Sequence, residues 1–410
     1  MSLEGKRVVL GVSGGIAAYK VADLASKLTQ SGALVDVIMT AAAQKFVTPM
    51  TFSALTHRPV RTDLFESWLG DDTGHVALAH DASILVVAPA TAHTIANLAL
   101  GISDDFLGAV YLSTRAPVLI VPAIESGMYL HPATQEHLET LKRRGADILT
   151  PAVGHLASGA SGIGRLPDPA EILSHIQLML GRRGPLAGKH IVVTAGGTRE
   201  PLDPVRFIAN GSSGKMGFAI AEECLYNGAD VTLISAPVAL QPPYGVNFLS
   251  VTTAKEMEGM VRAALRSGHA NALIMAAAVA DYAPAVTSDH KIKKTDTDFT
   301  LNLTRNPDIL GGLAELPFQH LVRIGFAAET QDLVENAREK LHRKKLDMIV
   351  ANDAVASIGA DTSALTFITA DGATTAFPPQ SKRDNARLIV EKLVHLLADH
   401  GPGTMGDGTT

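Results

Sequence analysis

Residues 194–217 (TAGGTREPLDPVRFIANGSSGKMG) crowd anion-holding side chains between an apolar run and a helix-like stretch. Arg199, Arg206, Asn210, Ser212, Ser213 and Lys215 offer guanidinium, amide, hydroxyl and ammonium donors suited to phosphates or carboxylates. A loop of this length is more often a binding loop than a solvated linker. Farther on, the apolar stretch 275–283 (MAAAVADYA) is read as a strand ending in Asp281, which could hold a divalent metal on a nucleotide or simply cap a helix. Lys291, Lys293 and Lys294 form a short basic run. Lys340 and Lys344 lie four apart on a predicted helix, so both can reach one ligand. A triphosphate needs several such cations, although a solvated charged face accounts for them too.

The first half offers different chemistry. Gly11-Val12-Ser13-Gly14-Gly15-Ile16 sits where a strand hands over to a helix, so backbone amides there can hold a phosphate. Ser13 and Ile16 stand where a dinucleotide fingerprint has its second and third glycines, so a mononucleotide fits better, with a plain tight turn as the alternative. His75 follows Asp71-Asp72-Thr73-Gly74 and is either a base or a surface residue. Pro89-Ala90-Thr91-Ala92 follows a buried strand at the end where open sheets bind ligands, and Thr91 doubles as a helix cap.

The elements that must position these residues alternate. Strand Arg7 to Val12, a glycine turn and a helix from Ile16 to Gln30 form one unit, with Ala18, Val21, Ala22, Ala25 and Leu28 on its apolar face. Strand-like runs follow at 34–39, 84–88 and 118–121, and a helix is expected over 170–180. At Gly181-Arg182-Arg183-Gly184-Pro185 the composition shifts, and the pattern then restarts. Strand 190–194, a turn at Gly196-Gly197, a helix over 215–226 and strand 231–234 repeat the architecture. Strands alternating with helices call for parallel sheets covered on both faces. We therefore expect domains at 1–180 and 188–400, with a flexible tail over 401–410.

With 410 residues, 46% hydrophobic and 19% charged, the chain suits two globular cores. A net charge of -6 argues against a nucleic-acid partner, and the single cysteine, Cys224, excludes an intrachain disulfide framework. Its start does not resemble an export signal, and no apolar run approaches the roughly 20 residues of a membrane span. A cytoplasmic location is expected.

Residues 11–20 (GVSGGIAAYK), Gly74-His75, 88–94 (APATAHT) and 122–132 (PAIESGMYLHP), in that order, resemble the FMN-dependent cysteine decarboxylase family. The resemblance implies a flavodoxin-like module in which Ser13, Gly14, Thr40, Ala90, Thr91 and Ala92 bind FMN and His75 is the catalytic base. In that family the flavin oxidises the thiol side, carbon dioxide leaves and the hydride returns. Two positions depart from the family: Glu125 stands where an asparagine holds the substrate carboxylate, and Ser158 where a flap cysteine supplies a proton. A carboxylate at 125 opposes the substrate's own, and a hydroxyl is a weaker acid than a thiol.

From about 188 to 398 the chain resembles the bacterial phosphopantothenate-cysteine ligases. The matching pieces are the 194–217 loop, 276–281, Lys291 to Lys294, Asn306 to Ile309, Gly325 to Thr330, Lys340, Lys344 and Ala351 to Asp353. The resemblance implies two Rossmann-like three-layer α/β domains with mainly parallel sheets, fused as in the bifunctional enzymes of coenzyme A biosynthesis. It implies CTP activating phosphopantothenate as an acyl-cytidylate with Mg2+ on Asp281, and cysteine displacing CMP. Lys291 then supports acyl-cytidylate formation, Asn210 its conversion to amide, and Arg206 acts beside them. Ala277, Asp281, Lys291, Asn306, Pro307, Asp308, Ile309, Phe326, Lys340 and Lys344 would surround the nucleotide. Trimers through the flavin module and dimers through the ligase would close a homo-oligomer, a dodecamer by symmetry. An NAD(P)-dependent oxidoreductase and a non-catalytic flavoprotein scaffold stand as alternatives.

Overall fold

The computed structural model describes residues 3–65, 74–266, 268–294, 299–314, 320–329, 332–353 and 359–400. The tail expected over 401–410, residues Asp71, Asp72 and Thr73, and Thr330 lie outside the described residues. The chain divides into two compact units, Met1–Leu180 and Gly181–Thr410.

The first unit contains β1 (Arg7–Val12), α1 (Ala18–Gln30), β2 (Leu34–Met39), α2 (Pro49–Thr56), α3 (Gly74–Asp81), β3 (Ile84–Ala90) and α4 (Ala92–Leu100). α5 (Phe106–Ser113), β4 (Val118–Pro122), α6 (Ser126–Leu130), α7 (Pro132–Arg143) and β5 (Asp147–Ile148) follow. A hairpin of β6 (Ala152–His155) and β7 (Ser161–Arg165) then leads to α8 (Pro169–Gly181). The five-stranded sheet runs β2-β1-β3-β4-β5, all parallel. Its strands are apolar on both faces because both are covered. Val8, Leu10 and Val12 of β1 join the cluster under α1, whereas Val9 joins Leu98, Phe106 and Leu107 on the opposite side. The helix expected from Ile16 begins at Ala18 instead, because Ser13 to Ala17 are spent on a tight turn with no side-chain cap.

The second unit opens with β8 (His190–Ala195), the hairpin β9 (Arg199–Pro201) and β10 (Phe207–Ala209), α9 (Lys215–Tyr226), β11 (Asp230–Ser235) and β12 (Asn247–Ser250). It continues through α10 (Ala254–Arg266), β13 (Ala270–Met275), β14 (Tyr282–Pro284), β15 (Leu303–Arg305), α11 (Ile309–Ala314) and β16 (Val322–Glu329). α12 (Leu333–Arg343), β17 (Met348–Asp353), β18 (Thr362–Thr369), β19 (Thr374–Ser381) and α13 (Lys382–Asp399) complete it. The sheet order is β12-β11-β8-β13-β16-β17-β18-β19, parallel through β17 and antiparallel at its last two strands. α10, α11 and α12 bury one face, and α9 lies against the other. α9 approaches β8 so closely that a Cβ on Gly217 would stand 2.6 Å from the Ala195 Cβ and 2.8 Å from the Thr194 carbonyl oxygen. Only glycine permits that approach.

One expected element is corrected. The strand read as ending in Asp281 stops at Met275, and 276–281 leaves the sheet as a loop. Its amides are taken by neighbours: Ala278 N donates to the Gly196 carbonyl at 2.8 Å and Ala280 N to Thr198 Oγ1 at 2.9 Å.

Candidate functional site

In the second unit the carboxyl ends of β13, β16 and β17 and the loop leading into α9 open on a cavity of about 770 Å³. Strand order reverses between β8 and β13, the place where open parallel sheets leave a crevice. Asn210 enters from the end of the β9–β10 hairpin, its Nδ2 donating to the carbonyls of Ala278 (3.3 Å) and Val279 (3.2 Å). Asn306 braces Asp281: its amide donates to the Asp281 carbonyl at 2.9 Å and its Nδ2 to Ala280 at 2.8 Å. Lys340 Nζ donates to the Phe326 carbonyl at 2.9 Å. Lys344, the residue capping α12, pairs with Asp308 Oδ1 at 2.7 Å while its side chain is only 12% exposed. Burial raises the Asp308 carboxyl, but hydrogen bonds from Lys344 and the Gly311 amide outweigh it and hold the group below the usual carboxylate range.

The cavity is also lined by Lys215, already marked among the loop's donors, and by Lys382, which sequence reasoning missed. Lys215 pairs with Asp361, and Lys382 donates to Ser363 Oγ at 3.0 Å. Burial and the neighbouring Lys215 both push the Lys382 ammonium down, with Asp361 opposing them. Lys382 opens the last helix, far along the chain from the loop, so no local pattern announces it; Asn352, near the end of β17, lies in the piece Ala351 to Asp353 that the sequence did mark.

The structure thus brings together Asn210, Ala277, Asp281, Asn306, Pro307, Asp308, Ile309, Phe326, Lys340 and Lys344. It does not bring Arg206 or Lys291 to that wall. Arg206 is engaged by Asp203, and Lys291 is exposed on a strap whose next residue, Ile292, is tied to the same pair. Among the described residues no group of three or more His, Cys, Asp or Glu side chains is arranged to hold a metal.

The first unit has its own cavity, about 710 Å³, at the β1/β3 reversal. Gly14, Thr40, Thr91, Ala92 and Glu125 line it, together with His93 and Asn97 from α4, which the sequence did not single out. A Cβ on Gly14 would stand 2.3 Å from that of Ala42, so the turns after β1 and β2 meet only because residue 14 is glycine. Ser13 and Ala90 are buried rather than on the wall. Ser13 Oγ donates to the Pro89 carbonyl at 2.6 Å and accepts from Thr91 N at 3.0 Å, so its hydroxyl shapes the turn. Thr91 in turn caps α4 by accepting from Thr94 N at 3.3 Å.

Glu125 caps α6, its Oε2 accepting from the amides of Gly127 (2.7 Å) and Met128 (3.3 Å). His75 is the second residue of α3 and is not on the wall; its ring stands edge-on to Phe106, and its buried Nδ1 has no hydrogen-bond partner. Ser158 lies exposed in the β6–β7 turn. Among the described residues no helix is long and apolar enough to cross a membrane.

Residues 1–181 match the flavoprotein family, and residues 186–397 match the DNA/pantothenate metabolism flavoprotein C-terminal domain. The coenzyme A biosynthesis bifunctional protein CoaBC of Vibrio cholerae is 45% identical over 399 residues, covering 96% of this chain and 99% of its own. The proteins of that name from Bacillus subtilis (44%, covering 97% of this chain and 99% of the relative) and Escherichia coli (42%, 96% and 98%) align equally fully. Identity at this level, running through both units and leaving almost nothing of either partner unmatched, makes the chain a member of the family of coenzyme A biosynthesis bifunctional proteins.

Proposed function

We propose that the chain makes phosphopantothenoylcysteine from phosphopantothenate, cysteine and CTP in its second unit, and decarboxylates that product with FMN in its first. The observation that carries the ligase reading is the convergence of Asn210, Asp281, Asp308, Lys340 and Lys344 on one cavity at the sheet's reversal. Carboxylate oxygen attacks the α-phosphorus and pyrophosphate leaves; the cysteine amine then attacks the acyl carbon, CMP leaves and one proton is lost. Lys340 and Lys344 would neutralise the phosphate chain, and Asp281 would contribute one carboxylate to its Mg2+. With Nδ2 anchored on two carbonyls, Asn210 presents Oδ1 as an acceptor for the attacking amine. Catalytic roles for Arg206 and Lys291 follow from the family resemblance and not from their position in the cavity wall.

FMN fits the first cavity on the chemistry of its walls: Thr40 and Thr91 hydroxyls and a glycine turn at the carboxyl ends of β1, β2 and β3. When bound, the flavin supplies a two-electron oxidation and returns the hydride. His75 is the proposed base, supported by its unpartnered Nδ1, and Ser158 the proton donor on the hairpin. Both reactions use soluble metabolites, which supports a cytoplasmic location, and closed homo-oligomers are expected. A nicotinamide-dependent reading has no support in the family matches.

The test is one product assay on purified protein, with and without CTP. CMP, pyrophosphate and carbon dioxide are expected with CTP, and visible flavin absorbance without it. Failure to form CMP refutes the ligase reading; CMP without carbon dioxide leaves the first unit a flavin-binding scaffold.

A further inference from the structure

The hairpin β9–β10 turns through residues 202–206, and at that turn a single carboxylate gathers five donors. Asp203 Oδ1 accepts from the amides of Val205 and Arg206, both at 2.9 Å. Its Oδ2 accepts from Arg206 Nε at 2.9 Å, from Arg206 Nη2, and from the amide of Ile292 at 3.1 Å. Arg206 Nη2 also donates to the Ile292 carbonyl at 2.9 Å, closing a ring of bonds between the turn and the strap. The Asp203 side chain is fully buried. Two weaker ties run alongside: Ser288 N to the Leu202 carbonyl at 3.0 Å and Thr287 Oγ1 to the Pro201 carbonyl at 3.3 Å.

This arrangement joins two places that the ligase reading assigns to successive steps. Lys291 precedes Ile292 on the strap, and Asn210 follows β10 at the other end of the same hairpin. A buried carboxylate without its donors is costly, so the bonds are made together or not at all. Resting on the ligase reading, we propose that Asp203 is a positioning residue: its buried carboxylate holds the Lys291 strap in register with the hairpin that delivers Asn210. Asp203 touches no part of the cavity itself. The Arg206 guanidinium beside it holds its carboxyl well below the usual carboxylate range, so the hub keeps its charge at neutral pH.

The test uses the full chain and separates the two steps: pyrophosphate release in a single turnover without cysteine, then CMP release when cysteine is added. Asp203→Asn is expected to slow pyrophosphate release by about ten- to a hundred-fold, the size of losing a hydrogen bond to a charged buried group. Flavin absorbance should not change. In a Lys291→Ala background the same substitution should add nothing further to that step, which a general loss of stability would not reproduce. Ile292→Pro deletes the strap's donor, leaves Asp203 with Arg206 and also restrains the backbone at Lys291; it is expected to repeat the loss, and it stands in should Asp203→Asn fail to fold. Wild-type pyrophosphate release from either variant, or multiplying losses in the double variant, overturns the proposal while leaving the ligase reading intact. Absence of pyrophosphate release from the wild type removes the ligase reading and this inference with it.

Discussion

The two cavities occupy the same topological position, yet their walls differ in charge. Lys215, Lys340, Arg343, Lys344 and Lys382 face the cavity of the second unit, whereas that of the first is lined by Thr40, Thr91, backbone turns and the carboxylates Asp104, Asp105 and Glu125, with no lysine or arginine among the described residues. On the proposed function, one kind of parallel-sheet crevice serves two chemistries. A triphosphate concentrates charge and calls for mobile ammonium groups; a flavin monophosphate is met by hydroxyls and amides in a glycine turn.

The comparison breaks first at the lysines. Lys344→Ala should lower kcat/KM for CTP about a hundred-fold or more, because Asp308 loses its partner and the phosphate chain a cation. Carbon dioxide release from supplied phosphopantothenoylcysteine should stay at the wild-type rate, and a parallel fall in both activities would sink the division of labour. In the first cavity the steric turn matters more than charge. Gly14→Val should abolish retained flavin and destabilise the first unit by about 1–3 kcal/mol, the range for overpacking a close contact. Absorbance of the purified protein reads the first effect and thermal unfolding the second.

Glu125→Asn and Ser158→Cys should each raise carbon dioxide release several-fold, with CMP release unaltered. The first removes a carboxylate from the wall and the second supplies a better acid. Unchanged rates in both would show that these departures from the decarboxylase pattern are harmless. The smallest effect is on pH. Asp308, with its carboxyl lowered in the folded chain, contributes stability that is present above the unfolded carboxylate pKa of about 4 and fades as acid protonates the folded group. Because its side chain is half exposed, that contribution is below about 1 kcal/mol. Asp308→Asn should flatten the corresponding part of the unfolding midpoint against pH, on the acid side of about pH 4.

What could be read without coordinates was whatever short range decides. The helix expected over 215–226 is α9 to the residue, and strand 190–194 gains only Ala195, since apolar periodicity and glycine turns act locally. The binding loop announced itself by its donors. Tertiary structure alone decided which of those donors share a cavity. Asn210, Asp308 and Lys344 meet because strand crossovers in a parallel sheet bring distant carboxyl ends side by side. Lys291 looked equally cationic and is held elsewhere, and Asp203, which the sequence did not single out, gathers five donors. Charge type is written in the residue, but the direction in which it points is set by bonds to chain many positions away.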